Sequence, residues 1–206
     1  MAITREQILD WMRRFAAEMA EHREELVRLD TAIGDGDHGT NMDRGMRKAI
    51  EKLDGAEQAD GGTALKTVAM ALISSVGGAA GPLYGTLFLQ MGTALAGKSE
   101  IELADYAQAW RKGLAGVQSR GKAEPGDKTM VDALIPSVEA LESASDLESG
   151  LREAAQAAET GMKATIPLVA RKGRASYLGE RSKDHQDPGA TSTFYLFKSA
   201  AEALAS

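Results

Sequence analysis

The sequence predicts an all-α fold of about eight amphipathic helices packed as a bundle. Two observations predict it. Apolar residues recur at helical spacing along the whole chain. No segment alternates apolar and polar residues as a strand does, and no Asn-Gly or Asp-Gly pair joins β-branched runs. The absence of any fixed repeat argues against a solenoid.

Each element has its own signal. Thr4 and Gln7 form a capping-box pair, after which Ile8, Trp11, Met12, Phe15 and Met19 share one face, extended by Leu26 and Leu29. The second helix carries Met42, Met46, Ala49, Ile50 and Leu53, and the third Leu65, Val68, Ala69, Leu72, Ile73 and Val76. The fourth starts near Pro82 and runs through Leu87, Met91 and Leu95. The fifth follows Ser99 with Leu103, Tyr106, Trp110, Leu114 and Val117. A sixth covers Met130 to Leu141 with Pro136 inside it, so a kink or a late start is expected. A seventh, Ala-rich, runs from Leu147 to Val169. The last holds Phe194, Phe197, Ala201 and Leu204. No linker divides the chain, so residues 1–206 are read as one domain.

Composition narrows the function. Lys and Arg number 24 against 30 Asp and Glu, a net charge of -6, which argues against a nucleic-acid partner. Cysteine is absent, which removes disulfides, thiolate metal sites and cysteine nucleophiles. Residues 67–97 carry no charge, but Gly77-Gly78-Ala79-Ala80-Gly81-Pro82 splits them into two core helices rather than one membrane span. Charged residues near the start leave no apolar run for a secretory signal, so a cytoplasmic location is expected.

Polar and glycine-rich residues collect in four connections. The first, Leu29 to Met42, contains Asp30, Asp35 and Asp37 interleaved with Gly34, Gly36 and Gly39 and followed by His38. Clustered carboxylates repel one another unless a cation lies between them, and oxygen-only ligands suit Mg²⁺ or Ca²⁺. An EF-hand loop fails, because Gly39, Thr40 and Met46 stand where Asp/Asn, Gly and Glu are required. A helix starting beside this loop suits phosphate; Asp37, Thr40 or Asn41 could instead simply cap that helix, a reading weakened by three carboxylates, three glycines and a His within ten residues. The second connection, Ser74 to Pro82, has small residues for close backbone approach and hydroxyls that could meet phosphate; tight helix packing explains it equally well. The third, Arg120 to Met130, nearly matches a Walker A loop, but Asp127 stands where Lys is needed and a helix precedes it. The fourth, Ala170 to Ala190, holds Arg171, Lys172, Arg174, Arg181 and Lys183, a basic cluster in an acidic chain. It reads as a solvated surface loop or as a lid over a phosphate.

Together these segments resemble the nucleotide-binding L subunits of bacterial dihydroxyacetone kinases driven by the phosphoenolpyruvate phosphotransferase system. The resemblance rests on Gly34-Asp35-Gly36-Asp37-His38-Gly39-Thr40-Asn41-Met42, on Ser74 through Thr86, on Ser119 through Met130 and on Ala170 through Thr191. It implies an antiparallel barrel of eight amphipathic helices with tightly bound ADP or ATP and two Mg²⁺ at one end. Asp30, Asp35 and Asp37 would be the metal ligands. His38, Gly39, Thr40, Asn41, Ala79, Ala80, Gly121, Met130, Arg174, Asp187, Pro188 and Gly189 would contact the nucleotide. A phosphohistidine on a multiphosphoryl donor subunit would recharge ADP, and a K subunit holding dihydroxyacetone on its own histidine would accept the γ-phosphate. No residue of this chain would form a phosphoenzyme. A transcription regulator and a second copy of the chain are further partners that the resemblance suggests. Two alternatives stand beside this reading: a kinase subunit for another short-chain sugar or polyol, and a nucleotide-sensing regulatory module.

Overall fold

A computed structural model of the protein describes residues 2–205. Among these residues there are nine α-helices: α1 Arg5–Glu21, α2 Arg23–Ile33, α3 His38–Asp54, α4 Gly61–Ser75, α5 Ala80–Leu95, α6 Leu103–Gly121, α7 Val131–Ser143, α8 Leu147–Ala164 and α9 Pro188–Leu204. A 3₁₀ helix, Arg174–Ser182, interrupts the connection between α8 and α9. The only pairing of β type among the described residues is an isolated bridge between Ile3 and Ile101.

The expected all-α architecture is present, with two differences in its elements. The first expected helix is two, broken at His22 (φ -93°, ψ 12°), which both ends α1 and begins α2. Neither Gly nor Pro marks the break. The His22 ring is instead stacked on Tyr195 at 4.1 Å and lies beside Glu18 and Glu25. The seventh helix stops at Ala164, short of Val169, because Pro167 lacks the N–H that a helix interior needs. Pro136 lies inside α7, past its first turn, as the sequence places it.

Helix α1 packs on α3 and α9, and from α3 onward each helix packs on its successor, which closes a ring of eight around the core. Helix α2 lies against α3 and α9 as an addition to that ring. Neighbours run antiparallel. A Cβ on Gly62, near the start of α4, would stand 2.6 Å from the Ala96 nitrogen just past the end of α5, while Gly85 of α5 faces Ile73 and Ala69 of α4. Likewise, Gly161 of α8 meets Asp132 and Ala133 of α7, and Gly150 meets Leu141. The core is aromatic at its centre. Trp110 stacks on Phe197 at 4.2 Å, and Trp11 meets Trp110, Tyr106 and Phe88 edge-on or tilted. The Trp11 indole donates to the Leu196 carbonyl at 3.1 Å, so its polar atom is satisfied inside the core. Thr4 caps α1, and Asp60, Asp146 and Asp187 cap α4, α8 and α9 with their side chains. No helix among the described residues is long and apolar enough to cross a membrane; the uncharged 67–97 stretch is divided between α4 and α5.

Candidate nucleotide and metal site

Alternation around the ring places the starts of α3, α5, α7 and α9 at one end, where they border a single cleft of about 400 Å³. His38 is the first residue of α3, Ala80 of α5 and Pro188 of α9; Met130 precedes α7, and all four line the cleft. Each helix start carries unpaired N–H groups and the positive end of a macrodipole, so this end of the barrel favours an anion. No side-chain cap occupies the start of α5, whereas the first N–H of α7, on Val131, is taken by the Thr129 hydroxyl at 3.1 Å.

The carboxylates gather at the same end. Asp30, Asp35 and Asp37 each bring one oxygen to within 4.8 Å of the others'. Asp30, on the last turn of α2, is 9% exposed, and its Oδ2 accepts the backbone N–H groups of Asp37 (2.8 Å) and His38 (3.1 Å). It therefore caps α3 from outside that helix, and none of Asp37, Thr40 and Asn41 does so. Two glycines make the geometry possible: Gly34, where a Cβ would stand 2.1 Å from Asp30 Oδ1, and Gly36, whose φ is +74°. An all-oxygen set of three converging carboxylates fits a hard divalent cation.

A basic wall faces the acidic one. Lys172, Gly173, Arg174, Ala175 and Tyr177 of the α8–α9 connection line the mouth of the cleft. The Arg174 guanidinium lies 3.0 Å from Asp35 Oδ2, and Tyr177 is 88% exposed beside it. Part of the expected loop is thus a 3₁₀ segment, kinked at Gly179, that turns back over the carboxylates.

Behind the cleft lies a buried polar chain that local spacing could not reveal. His38 Nε2 is 2.9 Å from Ser192 Oγ, which is 2.7 Å from the Tyr84 hydroxyl; Thr193 is 3.1 Å beyond. Desolvation pulls the His38 pKa down, against the raising effects of Asp30 and Asp37, so the ring acts as a neutral hydrogen-bonding wall. Burial pushes Tyr84 up to about 12. Burial also pushes Asp187 from 3.8 to about 7; the Ala190 N–H it caps opposes this, Asp132 and Asp30 add to it, and Lys128 opposes it.

Of the residues expected from the sequence, the cleft brings together Asp30, Asp35, Asp37, His38, Asn41, Ala79, Ala80, Met130, Arg174, Asp187, Pro188 and Gly189. Three lie off its lining. Gly39 is buried against α2, where a Cβ would stand 2.2 Å from the Arg23 carbonyl. Thr40 is exposed on the first turn of α3. Gly121 ends α6 behind Leu83, which lines the cleft. The Ser74 and Ser75 hydroxyls turn back to the Ala71 carbonyl instead of facing the cleft. Lys128 was passed over with the failed Walker A match, yet it lines the cleft floor; its partners lie 37 to 57 residues away, so no local motif could reveal it.

Comparison with known proteins gives the family. Residues 32–202 match the family model described as the DAK2 domain. The chain belongs to the DAK2-domain family. Its DAK2 relatives include the ADP-binding subunit DhaL of a PEP-dependent dihydroxyacetone kinase from Escherichia coli, 46% identical over 202 residues, which are 96% of each chain. The corresponding subunit of a PTS-dependent dihydroxyacetone kinase from Lactococcus lactis is 41% identical, covering 98% of this chain and all of that one. Among solved structures, the dihydroxyacetone kinase of C. freundii in complex with AMP-PNP and Mg²⁺ superposes with a TM-score of 0.72 at 27% identity. That match covers 95% of this chain and 33% of the larger kinase. The DAK2 domain described here is thus of the kind found in kinase subunits, and it is a phosphotransferase component.

Proposed function

We propose that this DAK2 chain, residues 1–206 acting as one unit in the cytoplasm, is the ADP/ATP-binding subunit of a phosphotransferase-system-dependent dihydroxyacetone kinase. The observation that carries the reading is the convergence of three carboxylates with four helix starts on one cleft. The carboxylates suit cations, the helix starts suit phosphates, and a metal–nucleotide complex presents both. When bound, the nucleotide would supply a phosphoryl relay between a phosphohistidine of a donor subunit and a hydroxyl of dihydroxyacetone held on a K subunit.

The chain's own residues position and neutralise, which is most of what phosphoryl transfer asks of a protein. Asp30, Asp35 and Asp37 would hold two Mg²⁺, since three carboxylates beside the polyphosphate leave a large negative charge to offset. The N–H groups at the start of α5, at Ala79 and Ala80, would receive phosphate oxygens, and the first turn of α3, with His38, Gly39, Thr40 and Asn41, would border them. Met130, Gly121, Asp187, Pro188 and Gly189 would bound the remainder of the nucleotide. Arg174 would exchange its pairing with Asp35 for a two-pronged contact to phosphate and shield the site from water. Transfer should require a K subunit and a phosphohistidine donor, and contacts with a transcription regulator or a second copy would use surfaces away from the cleft.

The test is reconstitution. The purified chain is mixed with cognate K and donor subunits, phosphoenolpyruvate and a panel of short-chain ketoses and polyols. Formation of dihydroxyacetone phosphate that depends on this chain, Mg²⁺ and catalytic ADP is the expected result. Turnover of another sugar alone would reassign the substrate, and nucleotide binding without transfer to any acceptor would make the chain a sensor.

A further inference from the structure

The most unusual side chain in the molecule is Lys128. It is 1% exposed, and its ammonium meets backbone carbonyls: Thr165 at 2.8 Å, Leu168 at 3.0 Å, His185 at 2.5 Å and Ile166 at 3.3 Å. An ammonium has three N–H groups to donate, so these oxygens use its full capacity and leave none for a phosphate. No salt bridge joins it to a carboxylate among the described residues. Its backbone stands at φ 63°, a left-handed conformation that an L residue with a long side chain adopts only when its surroundings hold it there.

The four carbonyls come from both ends of the connection between α8 and α9. Thr165, Ile166 and Leu168 lie where the chain leaves α8, and His185 lies where it returns to α9. Two further bonds close the same neck: Asp184 N–H to the Ile166 carbonyl at 2.8 Å, and Ala170 N–H to Ser182 Oγ at 2.8 Å. Beyond the neck the loop carries Lys172, Arg174 and Tyr177 to the cleft mouth. On the other side, Thr129 and Met130, which follow Lys128 in the chain, line the cleft, and the Asp127 carbonyl accepts the Arg171 N–H at 3.1 Å. Lys128 therefore ties the cleft floor to the base of the loop that bears Arg174.

A cage of carbonyl oxygens can stand in for the hydration shell of a monovalent cation. We propose that Lys128 is a positioning residue: a tethered cation whose carbonyl cage holds the 169–184 loop in register over the phosphate site, so that the cage emptied by truncation accepts free potassium or ammonium. The effect on catalysis rests on the nucleotide-site reading above; the effect on the loop does not.

The experiment compares wild type with Lys128→Ala in potassium chloride, ammonium chloride and tetramethylammonium chloride at equal ionic strength. Two quantities are read: the rate of protease cleavage within 169–184 in nucleotide-free protein, and reconstituted phosphotransfer. In tetramethylammonium, which is too large for the cage, the variant should be cleaved about tenfold faster or more, as expected on losing hydrogen bonds to a charged donor. Transfer should fall on the order of a hundredfold, the scale that a misplacement of about 1 Å produces. Potassium or ammonium should restore both, and wild type should ignore the choice of cation. A variant as resistant as wild type in every salt, or one loosened without rescue by either small cation, overturns the proposal. If wild type transfers nothing, the proposed function fails while the cleavage comparison still decides the role of Lys128. Should Lys128→Ala not fold, the cysteine-free background allows Lys128→Cys to be alkylated in denaturant and refolded. The aminoethyl adduct, which regenerates an ammonium, should refold with a protected loop, and the neutral carbamidomethyl adduct should not. Equal behaviour of the two adducts overturns the proposal.

Discussion

The site is assembled from a few residues whose roles can be separated by single substitutions. Asp35→Ala or Asp37→Ala removes a carboxylate that caps no helix, so nucleotide retention is expected to vanish while the circular dichroism stays near that of wild type. Full retention in either variant would remove the metal assignment. Arg174→Lys keeps the charge but loses the planar pair of donors, and phosphotransfer is expected to collapse, whereas Lys183→Ala, on the exposed side of the same loop, should be nearly silent. Asp187 gives a pH signature. Its carboxyl ordinarily titrates at 3.8 and is pushed to about 7 by burial, so between those values the folded state holds a proton that the unfolded state has lost. The contribution of Asp187 to the stability of the nucleotide-free protein therefore falls as pH rises from about 4 to 7, opposite in sign to that of the buried His38. Asp187→Asn can still accept the Ala190 N–H and should flatten that slope in thermal melts taken across the range. The carboxylates were legible in the sequence because they lie between positions 30 and 37 with glycines among them, and Arg174 because it stands in a separate basic cluster beside Gly173. Ser192, Tyr84 and Lys128 were not, because their partners are 37 to 154 residues distant.

At the scale of elements, helix periodicity exposed nearly every helix, since a stripe of apolar residues is written into each segment. What it could not show is a boundary enforced from elsewhere. The break at His22 is held by Tyr195, Glu18 and Glu25, and the 3₁₀ turn over the cleft has no apolar stripe to announce it. Small residues explain the close crossing of α4 and α5. At Gly62 an added methyl would stand 2.7 Å from the Gly92 carbonyl of α5, a clash with backbone that only separating the helices relieves. Gly62→Ala is expected to cost about 1–3 kcal/mol and to lower the melting temperature without altering nucleotide specificity. An unchanged melting curve would show that α4 and α5 can move apart freely. The loop between α8 and α9 should be cut by protease more slowly once ADP and Mg²⁺ are bound, because Arg174 then gains a phosphate partner.

For the whole molecule, the antiparallel ring matters because it sends alternate helix starts to one end and brings the acidic and basic connections to the same place. Four connections that are far apart in the chain become four walls of one cleft. The sequence displays each wall but not their convergence, which depends on the closing contact of α9 with α1. A ligand bound only by the folded barrel stabilises it by about 4 kcal/mol at a thousandfold excess over Kd, so chelation should lower the melting temperature of loaded protein by many degrees. Calorimetric titration of ADP into nucleotide-free protein, with Mg²⁺ and then with EDTA, tests the joint site of carboxylates and helix starts most directly. Tight binding in Mg²⁺ that disappears in EDTA and in Asp35→Ala is the expected result; equal affinity with and without the metal, or no binding in either, would contradict it.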